Sequence, residues 1–273
     1  MRIYASGLRK LLRRPATWVT LGLLCGLMVL IFVAVGASAN RIESTNGGAA
    51  IKELLTFPGA YDRLLEFLLG LGGLFAVIYA ASVAGSEWNW GMLKAAVARG
   101  ESRTAYAWLS FAAVATLIAL GLLVAFAIGV VAAVIGANLA GISTSGIGDA
   151  ATIGQFPYEF ARGWLGIIEE GALGFTIATL ARSQLAGIGA GIGLYFAESF
   201  ARIFLSSVVK FLPFDAATAL VGGGTSGISV GGGGAGASVE TLDPGTALVV
   251  VIAWLVVALI VVSLFTERAE ISG

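Results

Sequence analysis

Long runs free of lysine, arginine, aspartate and glutamate, or nearly so, recur at roughly 17–37, 66–84, 105–137, 158–181, 184–206 and 246–266. Each is close to or longer than the ~20 residues an α-helix needs to cross the hydrocarbon of a bilayer. The pattern predicts an all-α integral membrane protein of about six transmembrane helices, forming a single transmembrane domain over 1–273. The third run exceeds one crossing, and extra apolar length is accommodated by tilt or by protrusion from the membrane. Ahead of the first run, "RIYASGLRKLLRRPATW" places Ile3, Leu8, Leu11 and Leu12 at near-helical spacing among arginines. That spacing predicts an amphipathic helix on the membrane surface, ended near Pro15. The first run is also too long for the core of a cleaved signal peptide, so it is expected to be retained as a span.

Between the runs lie the polar connections. The segment 38–65 contains "AAIKELLTF", in which Ile51, Leu54 and Leu55, with Leu65 beyond, fit either a helix lying on the outer leaflet or a solvated loop. Near the C-terminus, "VGGGTSGISVGGGGAGAS" has almost no packing residues and reads as a flexible surface loop. Counting cations on alternate sides of the six spans gives an orientation. Ten fall on one side: Arg2, Arg9, Lys10, Arg13, Arg14, Lys94, Arg99, Arg103, Arg182 and Arg268. Six fall on the other: Arg41, Lys52, Arg63, Arg162, Arg202 and Lys210. The cation-rich side is expected to be cytoplasmic, which puts both termini inside a multi-pass protein of the cell membrane.

Composition agrees with the pattern: 58% hydrophobic and 12% charged residues, with a mean hydropathy of +0.94. The net charge of zero argues against a nucleic-acid partner. There is no histidine, and the single cysteine, Cys25, lies in an apolar run, so a cysteine–histidine zinc site and an intramolecular disulfide are both excluded. No metal ligand set and no catalytic residues are expected. "GIGAGIG" at 187–193 has neither the lysine nor the preceding strand of a phosphate loop. Its glycines, spaced four apart as Gly187 and Gly191 or Gly189 and Gly193, instead offer a smooth helix face for close packing. "GISTSG" at 141–146 reads as a loop rather than a serine-nucleophile site.

The island "SEWNWGMLKAAVARGESRTAYAW" between the second and third spans gathers charges and tryptophans. Residues 86–99 predict a short helix along the membrane surface, with Ser86 as its N-cap, Glu87 at its positive end, and Trp88, Met92 and Ala96 on one side. Gly100 would terminate it, and Ser102 would cap the third span. Tryptophan and cations at this level also serve as simple headgroup anchors. The stretch resembles the intracellular segment of the ABC-2 type permease family. Glu87, Gly91, Leu93, Arg99, Gly100, Ser102 and Arg103 stand at the matching positions, while Met92 replaces a common threonine and Trp108 stands near a common lysine.

That resemblance implies a membrane-spanning permease subunit of an ABC transporter. Its coupling helix, with Glu87, Trp88, Gly91, Met92, Leu93, Arg99, Gly100, Ser102 and Arg103, would contact a cytosolic ATPase subunit. The partners implied are the ATPase subunits, a second permease copy or relative, and the lipid bilayer. ATP and Mg would bind in the partner; this chain, which has no Walker motif, would bind no cofactor and hydrolyse nothing. Export of a hydrophobic or amphipathic compound by alternating access would follow. The rival readings are an ATP-independent secondary transporter and a non-transporting membrane scaffold or sensor.

Glu169, Glu170, Glu198 and Arg202 lie inside the fourth and fifth predicted spans. Glu169 and Glu170 sit near mid-membrane with no nearby cation in their own helix, and are candidates for the transport pathway or a subunit interface. Adjacent helical positions diverge by about 100°, so the two are expected to face different ways. Glu198 and Arg202, four apart, are expected to pair with each other.

Overall fold

The computed structural model describes residues 2–42, 54–221 and 241–269. The glycine-serine run near the C-terminus and Ile51 of the 38–65 segment lie outside these residues. Among the described residues the chain is all helix, without strands: α1 (Arg2–Leu12), α2 (Pro15–Ile42), α3 (Ala60–Asn89), α4 (Met92–Val97), α5 (Arg103–Leu139), a 3-10 turn (Ser145–Gly148), α6 (Ala150–Ala181), α7 (Gln184–Phe204), α8 (Ser206–Val209), α9 (Pro213–Leu220) and α10 (Pro244–Arg268). Five helices are long and apolar enough to cross a bilayer, namely α2, α3, α5, α6 and α10, which makes this a multi-pass membrane protein. The predicted fifth run, α7, falls short of that apolarity because Glu198, Arg202 and its glycines dilute it. At 21 residues it still measures about 32 Å.

Helix starts follow local chemistry. Ser102, Asp149, Ser183 and Asp243 each stand just before a helix and accept a hydrogen bond from the backbone N–H three residues on, to Ala105, Thr152, Ala186 and Thr246. These caps satisfy donors that the first helical turn leaves open. Hydrogen bonds from the Thr152 hydroxyl and then its backbone N–H hold the Asp149 carboxyl below the usual carboxylate range, and Thr246 does the same for Asp243. This contribution is present above the ordinary carboxylate range and fades as pH falls through the lowered values. At the other end of a helix, the last carbonyls of α1 are met by the start of α2. The Thr17 hydroxyl donates to Leu11 O at 2.6 Å and the Trp18 indole to Leu12 O at 2.8 Å. The amphipathic α1 is thereby folded back onto the bundle, with Leu11 buried and Tyr4 Oη 2.7 Å from Thr116 Oγ1 of α5.

Contacts along the helices fix their directions. Gly121 lies against Leu21, Gly129 against Met28 and Gly136 against Gly36, so α2 and α5 run parallel. Gly163 meets Leu69, Glu170 meets Gly73 and Gly174 meets the Val77 backbone, so α3 and α6 run parallel as well. By contrast, α7 is antiparallel to both: Gln184 sits on Gly85, Gly187 on Ala178 and Gly191 on Val77. Among the described residues, α2, α3, α5, α6 and α7 therefore alternate in direction along the bundle. One end gathers the α1–α2 turn, α4 and the α6–α7 turn with the C-terminus of α10. It carries most of the cation-rich set predicted to share one side.

Of the two glycine pairs expected to form a packing face on α7, one is used. A Cβ at Gly187 would collide with Ala178, whose backbone included, whereas Gly189 and Gly193 have open space. Gly187→Ala is therefore expected to push α7 from α6 and destabilise the chain by about 1–3 kcal/mol, as overpacking does. Gly189→Ala is expected to be neutral or to stabilise by up to ~1 kcal/mol through helix propensity. Thermal unfolding in detergent would compare them, and equal effects would mean that α6 and α7 do not meet through this face.

Candidate functional site

The predicted surface helix over 86–99 is not one helix. Helix α3 continues through Ser86, Glu87 and Trp88 to Asn89, and the break comes at Trp90–Gly91. Gly91 has φ +61°, a left-handed turn that glycine takes without a Cβ penalty. The six-residue α4 follows, then Gly100 at φ +85° and the Ser102 cap of α5. Ser86 is thus no N-cap. Its hydroxyl donates to Val83 O at 2.8 Å and accepts from Arg14 Nη1 at 2.8 Å. Local pattern favours a start at Ser86, but the bond from Arg14 in the α1–α2 turn draws the last turn of α3 into the bundle.

Tertiary contacts also reassign the other island residues. Glu87 is buried, accepting from Lys10 Nζ at 3.0 Å and from the Ser110 hydroxyl at 2.9 Å. Its two oxygens tie α1 to α5 across the end of α3. Trp88 lies edge-on to Phe265 of α10 with centroids 6.0 Å apart, and the Arg182 guanidinium stands 5.2 Å from its ring. Arg103 donates to Ala269 O at 2.8 Å and Glu267 O at 3.2 Å, holding the C-terminus of α10. Leu93 is buried. These four of the nine predicted contact residues are engaged within the chain. Met92 and Gly91 are half-buried, whereas Arg99, Gly100 and Ser102 are exposed on the tip, with Lys94 and Glu101. The tip's aromatic anchor is Trp90, 63% exposed, with the Arg14 guanidinium 4.8 Å from its ring. In the sequence Trp90 is one of the island's several tryptophans, and the glycine that follows it is the local signal of a turn there.

A second constellation lies deep in the bundle. Glu169 is completely buried, with no hydrogen-bond partner for either oxygen, and Glu170 is buried with Oε2 unpartnered. The Glu170 carboxylate occupies the space that a side chain at Gly73 of α3 would fill. Both glutamates point into the chain's own packing and lie within electrostatic reach of Glu198 on α7. The predicted Glu198–Arg202 ion pair is not formed. Glu198 instead accepts from the backbone N–H of Asp215 at 2.6 Å and of Phe214 at 3.4 Å, at the start of α9. Arg202 pairs with Asp215, its Nε 3.2 Å from Oδ2. Pro213 opens α9 with unfilled N–H donors behind it, and these outcompete an i,i+4 partner for the buried carboxylate.

At the opposite end from the tip, a cavity of about 410 Å³ is walled by Tyr61, Phe126 and Phe156, with Asp62, Gln155 and Glu159 at its edge. Nothing in the linear pattern brought these residues together, because they come from three helices.

Glu87→Ala is expected to leave Lys10 and Ser110 without their acceptor and to loosen α1, with a loss on the order of 2 kcal/mol. Thermal unfolding together with protease cleavage between α1 and α2 would detect it. Unchanged stability and cleavage would show that α1 is held by other contacts.

No curated protein matches the chain. Residues 29–269, from within α2 to the end of the bundle, match the family described as "Protein of unknown function (DUF2705)", and the chain belongs to that family.

Proposed function

We propose that this chain is the membrane-spanning permease subunit of an ABC-2 type transporter, paired with a second permease and driven by separate ATPase subunits. The observation that carries this reading is the tip at 90–102. It projects from the cation-rich end of the bundle between the second and third long helices, bearing exposed Trp90, Lys94 and Arg99 ahead of the "RGESR" that resembles the permease family's motif. An aromatic anchor with charges that set register is what a groove on a soluble partner recognises. In this reading α7 is the sixth span, α1 is the elbow helix at the inner surface, and both termini are cytoplasmic. The cargo is a hydrophobic or amphipathic compound, and its export is driven by closure of the ATPase dimer.

A second reading, ATP-independent secondary transport, is favoured by the buried glutamates, since ionisable groups inside spans commonly mark ion or proton routes. Transport that persists without an ATPase partner would select it.

Capture of the tagged chain from cells is expected to bring down an ATPase subunit whose ATP hydrolysis it stimulates. Trp90→Ala and Arg99→Glu are expected to weaken this assembly, with truncation of the anchor corresponding to about 2 kcal/mol or roughly 30-fold in Kd. Intact assembly in both variants, or no co-purifying ATPase, would sink the proposal.

Orientation is checked separately. In a Cys25→Ser background, cysteines at the exposed Ser102 and Ser145 are expected to react with impermeant thiol reagents from opposite sides, Ser102 from the cytoplasm. Labelling of position 102 from outside would overturn the inside placement of the tip.

A further inference from the structure

Glu169 and Glu170 stand apart from the tip and its partner. Counting from Arg182 at 1.5 Å per residue, Glu170 lies ~18 Å along α6, near the middle of a ~30 Å hydrocarbon core. Three of the pair's four carboxylate oxygens have no hydrogen-bond donor, and Glu169 has no exposed surface. A charge in that position lacks water, donors and a counter-ion at once, and groups so placed neutralise instead.

Among the described residues, no cation acts on the pair. From α7 come Glu198 and Tyr195, whose hydroxyl is 3.5 Å from Gly70 O. From α3 comes the bare backbone at Gly73. Arg202, further along α7, is already paired with Asp215 of α9. Arg202 and the backbone donors at the start of α9 are thus taken by Asp215 and Glu198. Among the described residues no group of acids converges closely enough to hold a metal ion.

We propose that Glu169 and Glu170 form an intramembrane proton-binding site. In this conformation both are neutral carboxylic acids, and they exchange their protons with water when α7 separates from α3 and α6. Helix α7 is the wall that has to move, because it carries Glu198 against the pair, and it is covered on one side only, with Leu185, Phe200 and Phe204 largely exposed. The inference rests on α6 crossing a bilayer and not on the ATPase partnership, so either can fail without the other.

The test uses the full chain in lipid vesicles with dicyclohexylcarbodiimide, an apolar reagent that couples to protonated carboxyls in membranes. The expected result is an adduct on Glu169 or Glu170, seen by peptide mass spectrometry, that declines several-fold as pH rises. The infrared carbonyl band of a protonated carboxylic acid should also be lost in the Glu169→Gln/Glu170→Gln variant. That variant is expected to insert and fold, because an amide matches the size and charge of the protonated acid. Absence of both the adduct and the band at every pH would overturn the proposal. Labelling that ignores pH would also overturn it, by showing protons that never exchange. Protection by sodium, at a pH where the band is absent, would replace the proton with a metal cation.

Discussion

Spans in a bilayer gain little by hiding apolar side chains from equally apolar lipid, so what holds them is close backbone approach and the closure of polar groups. The close approaches are made at glycine: Gly36 against Gly136, Gly174 on the Val77 backbone and Gly187 on Ala178. They set the parallel pairing of α2 with α5 and of α3 with α6, and they bring α7 onto both α3 and α6. The buried acids depend on the same geometry. Only because Gly73 has no side chain is there room between α3 and α6 for the carboxylate of Glu170.

Polar closure is concentrated at one end. Lys10 and Ser110 meet on Glu87, Arg14 bridges Ser86 and the Trp90 ring, Arg103 holds the carbonyls at the end of α10, and Arg182 stands over Trp88 and Phe265. Each link joins helices distant in sequence, so the ends of α1, α3, α5, α6 and α10 are fixed relative to one another. The tip between Gly91 and Ser102 is mounted on that base. For the docking proposed above, a surface held this way has little ordering entropy left to lose, which favours binding by a few exposed side chains.

The long helices were legible because each is a sustained apolar run, and the turn at Gly100 and the Ser102 cap because both are local rules of backbone and capping. The end of α3 was not. Ser86 and Glu87 look like the start of a surface helix, and only their bonds to Arg14, Lys10 and Ser110, from 72 and 77 residues before and 23 after, show that they belong to the interior. Glu198 and Arg202 illustrate the same failure. Their i,i+4 spacing is a weak local preference, and two backbone donors at the start of α9 displaced it. Glu169 and Glu170 were legible as costly residues, but their approach to Glu198 required the fold.

The tip and the buried acids share one rigid element. Helix α3 carries Gly73 against Glu170 and Val77 against Gly174 and Gly191, and reaches Glu87 and the turn into α4 about 21 Å beyond Gly73. An unbroken helix moves as a body, so a displacement of the tip shifts the wall on which Glu170 rests. The α6–α7 turn adds a second route, since Arg182 stacks on Trp88 while the helices it joins carry Glu169, Glu170 and Glu198. Glycine contacts have no side chains to absorb small shifts, and the three carboxyls have few donors to hold them in place. The layer at Glu169 and Glu170 is therefore held by helix packing rather than by hydrogen bonds, unlike the polar end around Glu87.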